Sequence, residues 1–128
     1  MERSYLVDTN VIIDWLSGKF LTHQSIFLDN VMNQIPIVSI ITKIELMGFN
    51  TNSSHEALLK SFLEDSIIIN LSDPIVEECI STRKSSKIKL PDAIIAASAL
   101  TFEYTLLTRN TSDFNSIKGL ELLNPHGI

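Results

Sequence analysis

Five short apolar runs, Tyr5-Leu6-Val7, Ile35–Ile40, Ile67-Ile68-Ile69, Thr105–Thr108 and Leu120–Leu123, are separated by longer stretches whose apolar residues recur at helical spacing. The runs read as strands and the stretches between them as helices. Strands that alternate with helices are joined by crossovers rather than hairpins. The sequence therefore predicts a mainly parallel, right-handed α/β sheet. At 128 residues the chain has the size of one such unit, 1–128, and no repeat, linker or composition shift divides it.

Local signals place the helices. Val11, Ile12, Trp15 and Leu16 follow the N-cap types Asp8-Thr9-Asn10, with Gly18 as the stop. A second helix is expected over residues 25–34. A third is capped by Ser39 or by the box Thr42-Lys43-Ile44-Glu45 and ends near Gly48. The box Ser53-Ser54-His55-Glu56 opens a fourth, with Leu58, Leu59, Phe62 and Leu63 on one face. Asp73-Pro74 has the N-cap and N1 pattern of a fifth, along which Ile75, Val76, Cys79 and Ile80 repeat. The sixth begins at Pro91 or Asp92 and is small and apolar almost all round, which marks a central helix.

Composition excludes several classes. Hydrophobic residues are 45% and charged residues 20%, too apolar for a disordered chain, and four Gly with four Pro exclude collagen-like or low-complexity sequence. The longest apolar stretch, Ala93 to Leu100, is broken by Ser98 and falls far short of the roughly 18 residues of a membrane span. The start, Met1 to Asp8, lacks the apolar segment of a signal peptide, and the single cysteine, Cys79, cannot form an intrachain disulfide; a cytoplasmic protein without a membrane is expected.

In open α/β sheets ligands bind beyond the carboxyl ends of the strands. Four acids are placed there: Asp8 after the first strand, Glu45 on the helix after the second, Asp92 at the start of the central helix, and Asp113 shortly after the fourth strand. Taken singly, Asp8 and Asp92 read as helix N-caps, Asp113 as a turn residue and Glu45 as part of a capping box. Together they describe a site. Two like charges about 4 Å apart repel by roughly 4 kcal/mol at an effective dielectric near 20, so such a group calls for a divalent cation. With oxygen donors and no neighbouring His or Cys, that cation is a hard one, Mg²⁺ or Mn²⁺, suited to phosphodiester hydrolysis. The formal charge of −5 does not exclude a nucleic-acid substrate, because setting these four acids aside leaves −1.

Leu6-Val7-Asp8-Thr9-Asn10-Val11, Thr42-Lys43-Ile44-Glu45-Leu46, Leu90-Pro91-Asp92-Ala93-Ile94-Ile95-Ala96 and Leu107-Thr108-Arg109-Asn110-Thr111-Ser112-Asp113-Phe114 resemble, in order, the four signature segments of PIN-domain nucleases. The likeness is to the VapC-type toxins of bacterial toxin–antitoxin pairs. The resemblance implies a PIN-like α/β/α sandwich with a five-stranded sheet in the order 3-2-1-4-5. It also implies an acidic Mg²⁺ or Mn²⁺ site and endoribonuclease activity on RNA.

On that analogy Asp8 and Asp92 are direct metal ligands. Glu45 and Asp113 bind metal directly or through water, and Thr9, Thr108 and Asn110 steady ligands or water. The resemblance further implies an antitoxin partner, with the apolar region Phe20, Leu21, Ile26, Phe27, Leu28, Val31 and Met32 as its groove, and a homodimer. For each of these residues alone, core packing is the plainer reading.

Arg83, Lys84, Lys87 and Lys89 place four of the ten cations in seven residues before Asp92. They read either as a guide for an RNA backbone or as a solvated helix end. His23, His55 and His126 are scattered outside the motifs, which argues against metal-free ribonuclease chemistry. The alternatives are an inert PIN-like module that binds RNA or protein, which substitution of the acids would mark, and a phosphotransfer or phosphatase domain. The latter fits poorly, since Asp8-Thr9-Asn10 lacks the paired acids such domains carry at the first strand.

Overall fold

Successive side chains of a strand point to opposite faces, and in β1 (Tyr5–Val7) this alternation divides the core in two. Val7 packs with Val11, Ile12, Leu28, Val38, Leu46, Leu59 and Leu107, whereas its neighbour Leu6 packs with Ile95, Ala96, Ala99, Leu106 and Phe114. The computed structural model describes residues 3–128; Met1 and Glu2, part of the start read above for a leader, lie outside the described residues.

The other strands are β2 (Ile37–Ser39), β3 (Ile67–Ile69), β4 (Thr105–Leu107) and β5 (Leu122–Leu123). They form one sheet in the order β3-β2-β1-β4-β5, parallel throughout, with Leu6 level with both Ile37 and Leu106. This is the sheet order the resemblance implied. Three strands are shorter than the apolar runs that announce them: β2 begins at Ile37 and ends at Ser39, β4 stops at Leu107, and β5 is reduced to Leu122–Leu123.

Helices α1 (Thr9–Leu16), α2 (Thr22–Asn33), α3 (Ile40–Met47) and α4 (Ser53–Glu64) contribute to the core on the Val7 side. Helix α6 (Leu90–Phe102) covers the Leu6 side, and α5 (Asp73–Ser85) packs on it through Ile75 and Cys79 against Ala93, Ile94 and Ala97. Residues 93–99 of α6 are all buried, as its almost unbroken apolar sequence requires. Each large apolar side chain so buried contributes about 1.5–3 kcal/mol. Among the described residues no helix is long and apolar enough to cross a membrane.

Several helix starts differ from the sequence expectation. Helix α2 begins at Thr22 rather than 25, with the Gln24 side chain accepting from the Leu21 backbone N–H at 3.0 Å. Asn52, not Ser53, caps α4, whereas α3 takes Ser39, one of the two caps its sequence offers. Helix α5 takes Ser72 as N-cap, which moves Asp73-Pro74 one position inward. Lys89 holds the N-cap position of α6, so Asp92 is the third helical residue and caps nothing. On α4, Leu59 and Leu63 are buried but Leu58 is exposed. In the apolar region around α2, Leu28 and Met32 are core and Phe20, Phe27 and Val31 partly so, while Leu21 and Ile26 face outward.

Helix α6 ends at Glu103 with φ of 58°, in the left-handed region, where the Tyr104 N–H reaches back to the Ala99 carbonyl at 2.9 Å. A side chain there costs about 1–2 kcal/mol, against which glycine's greater freedom in the unfolded chain costs about 0.5–1 kcal/mol. Glu103→Gly should therefore stabilise the fold by up to about 1 kcal/mol, read as a higher melting temperature.

Candidate active site

The backbone leaving β1 turns directly into α1, and Asp8 at the junction is the helix N-cap: its Oδ1 accepts the Thr9 N–H at 2.9 Å. Its other oxygen, Oδ2, accepts the Thr108 hydroxyl at 2.9 Å, and Thr108 Oγ1 in turn accepts the Asn110 N–H at 3.1 Å. Thr108 is fully buried just past β4. Parallel neighbours β1 and β4 thus deliver Asp8 and its holder to one point. Asn110 acts there through its backbone.

Glu45 reaches the same end of the sheet from α3. Thr9 Oγ1 lies 2.7 Å from Glu45 Oε1 and 3.1 Å from Thr42 Oγ1. A hydroxyl has one proton and a carboxylate only accepts, so Thr9 donates to Glu45 and Thr42 donates to Thr9. The side chain of Glu45 is thus tied across the sheet rather than back to its own helix. Thr42, read earlier only as a cap, is part of this chain.

Asp92, in the first turn of α6, and Asp113, in the 3-10 turn 111–113 after β4, line a groove of about 240 Å³ with Lys87, Lys89, Ser112 and Ser116. Of the cationic run, Lys87 and Lys89 therefore stand beside the acids. Arg83 and Lys84 do not: they end α5, and Arg83 borders a separate apolar groove.

Burial pushes the Asp8 carboxyl above the usual carboxylate range; the hydrogen bonds from Thr108 and Thr9 oppose this, and the charges of Glu45 and Asp113 add to it. Asp92 is raised as well, by partial burial first and then by the charges of Asp8, Asp113 and Glu45, with Lys89 acting the other way. Asp8 and Asp92 therefore both feel the charges of Glu45 and Asp113. Among the described residues no three His, Cys, Asp or Glu side chains stand close enough to form a ready metal cage. The four are a loose group, as mutual repulsion dictates. Their chemistry, oxygen donors only and more negative charge than Lys89 offsets, fits a hard divalent ion.

A second network lies beside the acids, centred on Asp14, which the sequence motifs do not single out. Asp14 of α1 is buried and accepts the Arg109 Nη1 at 3.0 and 3.1 Å and the His126 Nε2 at 2.9 Å. Phe20 stacks on the His126 ring at 4.0 Å, and Gln24 Nε2 donates to the His126 carbonyl at 2.8 Å. Burial alone would raise Asp14, but the His126 and Arg109 bonds outweigh it and hold the carboxyl below the usual range. The network pins the segment that runs from Thr108 to Asp113 against α1.

Residues 5–120 match the family model described as PIN domain. No curated protein matches the chain. Among solved structures, the chain is similar to a toxin–antitoxin complex from Klebsiella pneumoniae, at 34% identity and a TM-score of 0.77 over 95% of this chain and 98% of that one. It is also similar to FitAcB from Neisseria gonorrhoeae, at 26% identity and a TM-score of 0.76 over 97% and 99%. VapBC2 from Rickettsia felis, bound to a DNA fragment from its promoter, shares the fold at 22% identity and a TM-score of 0.78 over 94% and 97%.

Proposed function

The chain belongs to the PIN-domain family, and on that premise we propose that it is a divalent-metal-dependent endoribonuclease, the toxin of a type II toxin–antitoxin pair. The observation that carries the proposal is the set of four carboxylates, Asp8, Glu45, Asp92 and Asp113, at the carboxyl end of the sheet, where burial and then the charges of Glu45 and Asp113 raise the proton affinity of Asp8 and Asp92. An inert binding module would have no use for that unfavourable arrangement.

Asp8 and Asp92 would hold the ion, with Glu45 and Asp113 completing its surroundings. Mg²⁺ or Mn²⁺ bound there supplies polarisation of a phosphodiester and acidification of water, so that hydrolysis leaves a 5′-phosphate on one product. The protein's own contribution is orientation and charge. Thr9 and Thr108 fix both oxygens of Asp8, and the Thr42–Thr9–Glu45 chain fixes Glu45. Lys87 and Lys89 flank the groove and attract an RNA backbone to it, which is a sequence-independent and salt-sensitive interaction. The similar complexes support an antitoxin as the partner of this chain, and the exposed Leu21 and Ile26 offer apolar surface for it. A cytoplasmic location suits that role.

Metal binding is testable without substrate. Anything bound by the folded state alone stabilises it, by about 2.7 kcal/mol at a hundredfold excess over Kd. Mg²⁺ or Mn²⁺ should therefore raise the melting temperature of the wild type. The ionised form of Asp92 is disfavoured by folding, so its contribution to stability falls as pH rises through its raised pKa. Asp92→Asn should accordingly melt higher than wild type in EDTA at neutral pH and respond little to metal. A wild-type transition indifferent to saturating metal would sink the metal site.

A further inference from the structure

His126 forms no hydrogen bond with any of the four acids, yet a continuous series of bonds runs from its ring to Asp8. The ring is oriented independently of Asp14. Phe20 stacks on it at 4.0 Å, Asn124 Oδ1 accepts the His126 backbone N–H at 3.0 Å, and the His126 carbonyl accepts the Gln24 Nε2 at 2.8 Å. Gln24 is buried and anchored in turn, because its Oε1 accepts the Leu21 N–H at 3.0 Å. The entry into α2 and the turn Pro125–Gly127 thus fix where the imidazole points, and its Nε2 lies 2.9 Å from Asp14 Oδ2. A carboxylate only accepts, so that nitrogen carries the proton.

Asp14 passes that fixed direction on. Its side chain is only 3% exposed, and the Oδ2 that accepts from His126 also accepts the Arg109 Nη1 at 3.0 Å, so the carboxylate stands between two donors. Arg109 follows Thr108, whose hydroxyl donates to Asp8 Oδ2, and precedes Asn110, whose N–H returns to Thr108 Oγ1. Asp113 continues the same segment, with its N–H on the Asn110 carbonyl at 3.0 Å. One link, Asp14 to Arg109, therefore locates both the group that holds Asp8 and the turn that carries Asp113. Without the His126 bond, Asp14 would be held by the half-exposed Arg109 alone, and the two could shift together. We propose that His126 is a positioning residue of the acidic site, acting through Asp14 and Arg109 to keep Asp8 and Asp113 in register for the metal ion. The inference rests on the nuclease reading and adds to it a residue that touches neither metal nor RNA.

The test compares His126→Phe, which keeps the stack on Phe20 but removes the donor, with His126→Gln, whose amide nitrogen can donate to Asp14 from a similar place. Mn²⁺ affinity is read by titration calorimetry without substrate, and kcat and KM on RNA separately, all well below every melting transition. His126→Phe should bind Mn²⁺ about tenfold more weakly and lose about tenfold in kcat with KM unchanged, the lower end for losing a group that supports a metal ligand from behind. His126→Gln should recover most of both. A merely structural role would lower the melting temperature and leave the folded protein's affinity alone. His23→Ala, which removes only a bond to the Ile128 carbonyl at 2.7 Å, should match wild type. Wild-type affinity in His126→Phe, no recovery in His126→Gln, or an equal loss in His23→Ala would each overturn the inference while wild type stays active. A wild type that neither binds Mn²⁺ nor cleaves RNA would instead overturn the nuclease reading, and this inference with it. Should His126→Phe fail to fold, Arg109→Met breaks the same link at a half-exposed position: weaker Mn²⁺ binding is expected, and unchanged binding contradicts the inference.

Discussion

Asp92→Asn is expected to lower the rate of RNA cleavage by about 10²–10³-fold while leaving the fold intact, a loss typical of removing one group that stabilises developing charge. The position separates chemistry from structure well. Among the described residues the Asp92 carboxylate accepts no hydrogen bond, it caps no helix, and it is partly exposed to the groove it shares with Asp113. Nothing in the packing depends on its charge, and the charge is a cost to the protein without a cation. Asp8→Asn should inactivate as strongly but is a less clean variant. Both Asp8 oxygens accept hydrogen bonds, and an amide would set its NH₂ against either the Thr9 N–H or the Thr108 hydroxyl. Activity loss combined with a higher melting temperature in EDTA is therefore the signature expected of Asp92→Asn. Undiminished cleavage by that variant would remove Asp92 from the site.

Asp14→Ala is expected to have the largest effect on stability, about 2–4 kcal/mol. Removing one partner of a buried ion pair costs about 3–5 kcal/mol, and the half-exposed Arg109 can recover part of its hydration. For a chain of this length the loss corresponds to a melting temperature lower by roughly 7–15 °C. It also has a pH signature. The folded pKa of Asp14 is depressed, so its contribution is present above the unfolded value, near 3.9, and is lost as pH falls through the lower folded value. The gap between Asp14→Ala and wild type should thus be full at neutral pH and close below about pH 4. Because Arg109 lies between Thr108, which holds Asp8, and Asp113, the variant should also cleave more slowly. Equal melting temperatures at pH 7 would show that the network contributes nothing.

What could be read in the sequence follows the range of the interactions. Strands and their order were legible, the first from short apolar runs and the second through the motif resemblance; Asp8 was legible because strand, cap and acid are contiguous. Contacts between distant segments were not. The sequence places Glu45 among the acids, but not the hydrogen bond from Thr9, 36 positions away, that holds its carboxylate. His126 looks stray because its partner Asp14 lies 112 residues earlier. The start of α2 depends on distant contacts in the same way, since Gln24 is held at once by the Leu21 N–H and by the carbonyls of His126 and Ile128. At α6 propensity points to the wrong cap: Asp92 is a favoured cap type, yet Pro91 occupies the second helical position and Lys89 the N-cap. The cationic run is continuous in sequence, but the turn between α5 and α6 divides it, sending Lys87 and Lys89 to the acids and Arg83 to an apolar face.

The most direct test of the central claim is cleavage of total cellular RNA by the purified protein in EDTA, Mg²⁺ or Mn²⁺, with Asp92→Asn prepared in parallel and product ends mapped. The account predicts cleavage by wild type that EDTA abolishes and either ion restores, 5′-phosphate ends, and at least about a hundredfold less product from the variant. Cleavage that persists in EDTA, or that wild type and variant share equally, would contradict it.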